Sequence, residues 1–331
     1  MAKLRLTLAC GEYEITRALI EGKIQPEGIE LISLTMPSPE RHWRMIRHQE
    51  FDVCEFSLAQ YLVSKAKGEP LVAIPVFPHR RFRHSYVFVN TQAGIEKPKD
   101  LEGKRVGLRT VQNTAGLWMR GILQHYYGVS LKKIQWITQD EEPIRLGRGK
   151  GLCPKRVAPG ENIDDMLIKG QLEAAIYPDI LPSFSRGDRA VKYLFPEPEK
   201  EEMRYFQDTG IFPIMHTVVI KQAVVDQYPW VAKNLQDAFQ KAKEMCYRRM
   251  EDPRKIALAW VMHHVEEQKQ ILGQDPWVYG LTHNRNNLET LLVYAQEQGL
   301  IHSKLELKEL FVQSASDKSP HYLVDLKKSK E

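Results

Sequence analysis

The chain has 331 residues, 43% of them hydrophobic and 27% charged, with a formal net charge of +5. That length is too great for one small core and suits two units of ordinary domain size, while the apolar and charged shares exclude a disordered or membrane-embedded class. Basic residues are interleaved with acidic ones, which favours a small anionic ligand over a nucleic-acid groove.

Strands and helices alternate from the start. Leu4 to Ala9 and Ile29 to Met36 read as strands, and Ser38-Pro39-Glu40 opens a helix over His42 to His48. Phe51 to Phe56 is a third strand that runs into Ser57, an N-cap for a helix through Lys65, and Leu71 to Phe77 is a fourth strand. A second unit begins at Tyr86 to Asn90. It continues with a short helix at Pro98 to Leu101, a strand at Arg105 to Leu108, a helix from Asn113 to Tyr127 and a strand around Trp136. Glu142 to Gly160 is a long Gly/Pro/Arg-rich loop, of a kind that is usually functional. Asn162 to Lys169 is helical, and Glu173 to Tyr177 and Lys192 to Phe195 are strands. After a strand at Ile214 to Ile220 the chain turns helical, over Pro229 to Met250, Arg254 to Leu272 and Leu288 to Gln298.

Alternation of this kind predicts an α/β protein with mainly parallel sheets covered on both faces. Two lobes joined by two crossing hinge strands, near residues 85 to 90 and 211 to 220, with a helical C-terminal region, have the layout of a type II periplasmic-binding-protein-like fold. The expected division is residues 1–86 with 216–331 in one lobe and 87–215 in the other, and the ligand belongs in the crevice beyond the strand ends. The tail Ser314 to Glu331 reads as a packing arm.

The first residues lack an apolar run followed by a small-residue cleavage site, and about 18 consecutive apolar residues occur nowhere. The expectation is a cytoplasmic protein with no membrane partner. Cys10, Cys54, Cys153 and Cys246 are scattered without paired spacing, which argues against a zinc knuckle or a disulfide framework. His263 and His264 have no third ligand at metal-like spacing and read as surface or structural. No P-loop, GxGxxG or GxSxG signature occurs, so no cofactor is expected, although a divalent metal is left open. A homo-oligomer is also left open.

Three segments carry chemistry. VFPHRRFRHS, Val76 to Ser85, sets His79, Arg80, Arg81, Arg83 and His84 at the end of a strand, where guanidinium groups suit a carboxylate and a histidine can exchange a proton. In RTVQNTAGLWMRG, Gln112, Asn113 and Thr114 precede a helix whose first N–H groups suit an anion. TGIFPIMHTVV places His216 on the second crossing, and Glu55 and Ser57 in EFSLAQY line the same crevice. Each has an ordinary structural reading beside it: a solvated basic loop, a plain N-cap, a hinge histidine.

These segments, together with CGEYEITRALIEGKIQPEGIEL, FDVCEFSLAQYL, PLVAIPVFPHRRFRHSYVFVN, LEGKRVGLRTVQNTAGLWMRGILQHYYGV, TGIFPIMHTVVI and DPWVYGLTHNRNNLETLLVYAQEQGL, span nearly the whole chain and resemble the 4,5-dihydroxyphthalate decarboxylase family. The resemblance implies non-oxidative loss of one carboxylate from a hydroxylated aromatic acid, giving 3,4-dihydroxybenzoate. On that basis Arg81 and Arg83 would hold carboxylates, Asn113 and Thr114 would add donors, and His84 or His216 would deliver the proton. The alternatives are a non-catalytic binding protein for an aromatic carboxylate, a metal-assisted decarboxylase using Glu55, His84 and His216, and a regulatory ligand sensor.

Overall fold

The computed structural model describes residues 2–146 and 151–312. The tail Ser314 to Glu331 and the middle of the Glu142 to Gly160 loop lie outside the described residues. The first stretch runs β1 (Leu4–Cys10), α1 (Arg17–Ile20), β2 (Ile29–Thr35), α2 (Ser38–His48), β3 (Val53–Ser57), α3 (Leu58–Ala66) and β4 (Leu71–Arg80). The second comprises β5 (Val87–Asn90), β6 (Arg105–Leu108), α4 (Thr114–His125), β7 (Gln135–Thr138), β8 (Lys155–Arg156), α5 (Ile163–Ile168), β9 (Ala174–Ile176), α6 (Pro182–Ser185), β10 (Val191–Tyr193) and α7 (Pro198–Thr209). The chain closes with β11 (Ile214–Lys221), α8 (Gln222–Gln227), α9 (Trp230–Met250), α10 (Val261–Leu272), α11 (Arg285–Glu297) and α12 (Leu307–Leu310).

The strands form two separate sheets, ordered β2-β1-β3-β11-β4 and β10-β5-β9-β6-β7-β8. In the first, β1 pairs in parallel with β2 and β3, and β11 runs antiparallel between β3 and β4. In the second, β6 pairs in parallel with β7 and β9, and β5 is antiparallel to β9 and β10. β4 lies at an edge, which explains how one strand carries both Pro75 and Pro78. All five residues of β3 are buried, Glu55 and Ser57 among them, so the middle of the first sheet is covered on both faces.

Helix α4 joins the two halves. The Ser57 hydroxyl caps α3, accepting from Gln60 N, and Asn113 caps α4, accepting from Gly116 N at 3.2 Å. Trp118 Nε1 donates to Ile214 O at 2.8 Å, and Arg120 Nε donates to Gln298 Oε1 at 2.7 Å. Gly121 lets the two helices approach, since a Cβ there would meet the Tyr294 ring at 2.0 Å.

Three details depart from the sequence reading. β11 lies wholly within the first sheet, so His216 sits on a sheet strand and the return crossing occurs before Ile214. The helix expected from Arg254 begins at Val261, because Asp252 caps a single turn at Pro253–Lys255 and Ile256 is extended. A helix not anticipated, α7, starts on Pro198 and ends at Gly210 with φ of 66°.

Candidate active site

The first sheet sets three polar side chains in a row. His216 on β11 stands opposite Ser57 on β3 and opposite His79 on β4. Glu55 lies two residues before Ser57, on the same face of β3. Its carboxylate is fully buried and heavily satisfied: Oε2 accepts from Gly11 N at 2.8 Å and Arg41 Nη2 at 2.6 Å, while Oε1 accepts from the Tyr13 hydroxyl at 2.8 Å and pairs with His216 Nδ1. Arg41 comes from α2 and also donates to Glu55 O at 2.9 Å and Met36 O at 2.6 Å, which locks that helix to the strand.

The neighbour of Arg41 in sequence, His42, completes the cluster. Its ring stands edge-on to His216 at 4.9 Å, and His79 stands edge-on to the same imidazole at 4.7 Å. Burial, and after it the adjacent His216, push both His42 and His79 well below the ordinary histidine range, so both are neutral near pH 7. Burial alone would raise the Glu55 carboxyl, but His216 and Arg41 outweigh it and hold Glu55 ionised. Burial and then Glu55 raise the Tyr13 phenol, which therefore stays a donor. The carboxylate fixes the imidazole of His216 through Nδ1 and leaves Nε2 for a ligand.

These side chains open on a cavity of about 520 Å³ between the sheets. His42, His79, His216 and Ser57 supply one wall; Arg83, Arg109, Asn113, Thr114 and Asp179 supply the other. Arg83 is 2% exposed, donates to Tyr177 O at 3.0 Å and Pro178 O at 2.8 Å, and lies over the Tyr86 ring at 4.0 Å. It forms no ion pair among the described residues, and burial lowers its pKa to about 10, leaving it charged. A buried cation with only carbonyl and aromatic partners at a cavity wall is suited to a ligand carboxylate. Arg109, by contrast, pairs with Asp140 at 2.9 Å. The Thr114 and Ser57 hydroxyls meet at 2.8 Å and tie the start of α4 to the end of β3.

Of the residues singled out from the sequence, Arg83, Ser57, Asn113, Thr114 and His216 line this cavity, and Glu55 stands directly behind His216. Gln112 does not line it; it is buried, with its amide donating to Ile144 O and its backbone N–H to Glu142 at 3.0 Å. Arg81 does not line it either: it follows the end of β4, is exposed, and donates to the Tyr86 hydroxyl at 2.8 Å. His84 sits elsewhere, fully buried among Phe195, Tyr205 and Tyr127, with both ring nitrogens unpartnered and burial lowering its pKa to about 3. The sequence reading passed over His42 and Arg41, for which α2 offers no local signal, and did not select His79 although it stands in the quoted basic segment.

The ligand set Glu55, His84 and His216 is not brought together, since His84 lies in its aromatic nest away from the cavity. Among the described residues no group of three or more His, Cys, Asp or Glu side chains is arranged to hold a metal ion. No helix among them is long and apolar enough to cross a membrane.

Two separate α/β sheets with a crevice lined from both define the periplasmic-binding-protein-like class, here with a carboxylate-oriented histidine in the crevice. The periplasmic sulfonate-binding protein SsuA from Methylobacillus flagellatus KT shares the fold, with a TM-score of 0.58 and 16% identity over 99% of this chain and 95% of that one. Residues 21–149 match the family described as NMT1/THI5 like. A 4,5-dihydroxyphthalate decarboxylase from Comamonas testosteroni is 35% identical over 320 residues, 94% of this chain and 97% of that protein. A second, from Pseudomonas putida, is 34% identical over 206 residues, 60% of this chain and 80% of that protein. The chain belongs to the 4,5-dihydroxyphthalate decarboxylase family.

Proposed function

We propose that this protein is a carboxy-lyase that removes one carboxylate from 4,5-dihydroxyphthalate, yielding 3,4-dihydroxybenzoate and carbon dioxide. The observation that carries the mechanism is the Glu55–His216 pair opening on a cavity whose opposite wall holds the unpaired Arg83. The kinship with named decarboxylases over 94% of the chain supports the substrate.

Each carboxylate of that substrate is para to a hydroxyl, so protonation of the ring carbon bearing it gives a cation that the oxygen stabilises. The C–C bond then breaks, its electron pair restores the aromatic ring, and carbon dioxide leaves. His216 Nε2 is the donor in this reading, with Glu55 holding the ring in position through Nδ1. Two features support that choice over its neighbours: His42 and His79 are held neutral, and His84 is out of reach. Arg83 grips a carboxylate, and the first turn of α4 at Thr114 and Ala115 offers N–H groups without helical partners. Water returns the proton to His216 after each turnover.

The two sheets act as the cores of two lobes, divided as expected except that the second boundary falls before Ile214, and they close on the substrate to exclude water. The four cysteines are all free, one of them exposed, which supports a reducing compartment such as the cytoplasm. Incubating the purified protein with a panel of hydroxylated phthalates and benzoates, with and without chelator, tests the reading: carbon dioxide should evolve with 4,5-dihydroxyphthalate. Tight binding of the panel without release of carbon dioxide would reduce the protein to a binding module.

A further inference from the structure

His79 brings to the cavity two ring nitrogens that the protein leaves unused. It stands on β4 across the strand pairing from His216, and its ring lies edge-on to that imidazole with centroids 4.7 Å apart. It also stacks on the Tyr13 ring, at 5.6 Å and 30°. Neither Nδ1 nor Nε2 has a hydrogen-bond partner among the described residues. A neutral imidazole has one N–H to donate and one lone pair to offer, and leaving both unmet inside a protein costs stability. Such a cost has a reason where a ligand supplies the partner.

Of the two imidazoles beside His216, His79 is the one a ligand can reach. His42 is 6% exposed and its ring meets Phe56 at 5.3 Å, whereas His79 is half-buried and borders both the main cavity and a second one of about 490 Å³. With no hydrogen bond to fix it, the His79 ring is free to turn a nitrogen into the main cavity. Burial, and after it His216, keep it uncharged near pH 7, so its lone pair is available. A lone pair suits a hydroxyl and repels a carboxylate, which Arg83 takes instead.

In the proposed reaction the ring carbon presented to His216 Nε2 has a hydroxyl para to it, one ring width away. The neighbouring imidazole, at 4.7 Å, is offset on that scale. We propose that His79 accepts a hydrogen bond from the hydroxyl para to the departing carboxylate, and so makes that hydroxyl a requirement of the site. Protonation of the ring carbon draws electron density from this oxygen and makes its O–H a stronger donor, so the contact tightens as the transition state is reached. The proton stays on the oxygen throughout, and no bond to His79 forms. The assignment rests on the reaction proposed for this cavity, and its test separates the two.

The probes are 3,4-dihydroxybenzoate, the product of that reaction, which keeps a carboxylate para to a hydroxyl, and benzoate, which has no hydroxyl. Calorimetric titration of the parent should show tighter binding of the dihydroxy acid. His79→Phe, which preserves the stack on Tyr13, should reduce that preference by roughly fivefold or more, the worth of one hydrogen bond. His79→Gln restores an acceptor and should keep part of the preference, which a purely structural role does not produce. The urea midpoint of His79→Phe should equal or exceed the parent's, because no hydrogen bond is lost. A markedly lower midpoint would mean that the nitrogens already serve the protein, and overturns the assignment. So does equal affinity of the parent for the two acids, or a His79→Phe variant that keeps the full preference. The titrations report on His79 whether or not carbon dioxide is released, so absence of turnover in the parent counts against the decarboxylase reading alone.

Discussion

Glu55 and His216 face each other across adjacent antiparallel strands, the carboxylate wholly buried and the imidazole at the cavity wall. The pair is set by the sheet: Ser57 is the cross-strand partner of His216, and Glu55 points to the same face two residues earlier. His216→Gln keeps the approximate volume and one hydrogen bond but removes the transferable proton. Turnover of 4,5-dihydroxyphthalate should fall by roughly 10²–10⁴, with binding retained. Parallel loss of affinity and rate would instead make His216 an anchor.

Glu55 also neutralises Arg41, which is equally buried. Glu55→Gln leaves that guanidinium without its charge partner and should cost on the order of 3–5 kcal/mol in stability, besides disorienting His216. Urea denaturation monitored by tryptophan fluorescence reads the first effect and steady-state kinetics the second. A variant as stable as the parent would show that the Arg41 charge is compensated by its carbonyl contacts alone.

Arg83 and Arg81 differ by two residues and face different surroundings. Arg83→Ala should weaken binding of an aromatic dicarboxylate by about 2–5 kcal/mol, as expected when a buried bidentate partner is lost. Arg81→Ala should leave that affinity nearly unchanged. Calorimetric titration of both variants decides the matter; equal losses would contradict the assignment of the carboxylate to Arg83 alone.

Much of this was legible before any coordinates. The alternation of strands and helices announced two α/β units, and Ser57 and Asn113 announced the caps of α3 and α4. TGIFPIMHT pointed to His216, and EFSLAQY to Glu55, which stands behind it. What stayed hidden depends on contacts between distant segments. His42 sits on a short amphipathic helix like many others, and only docking of Arg41 onto β3 turns it towards His216. His84 looked like a neighbour of the arginine clamp, yet the chain turns through a 3-10 segment at His84–Tyr86 and buries it among aromatic rings. Residue spacing alone does not reveal which way such a turn faces.

The buried location of His84 has a consequence for pH. Its folded pKa, lowered by burial to about 3, lies below the ~6.5 of an unfolded imidazole. Above that value neither state is protonated and the residue adds no pH dependence. Below it the unfolded chain takes up a proton that the native state refuses, so stability should fall as the pH drops from about 6.5 towards 3. His42 and His79 are displaced in the same direction and add to the trend. His84→Phe, which fills the aromatic nest without a titrating group, should retain activity and flatten the decline in urea midpoint between pH 7 and 5. An unaltered slope would assign the acid sensitivity to other groups.

Proton transfer to the carbon that loses its carboxylate is the central claim, and its most direct measurement is turnover of 4,5-dihydroxyphthalate in deuterium oxide followed by proton NMR. The 3,4-dihydroxybenzoate formed should carry one deuterium, at the ring position vacated by carbon dioxide, and His216→Gln should form the same product far more slowly. Absence of the product, or product formed by His216→Gln at the parent rate, would contradict the account.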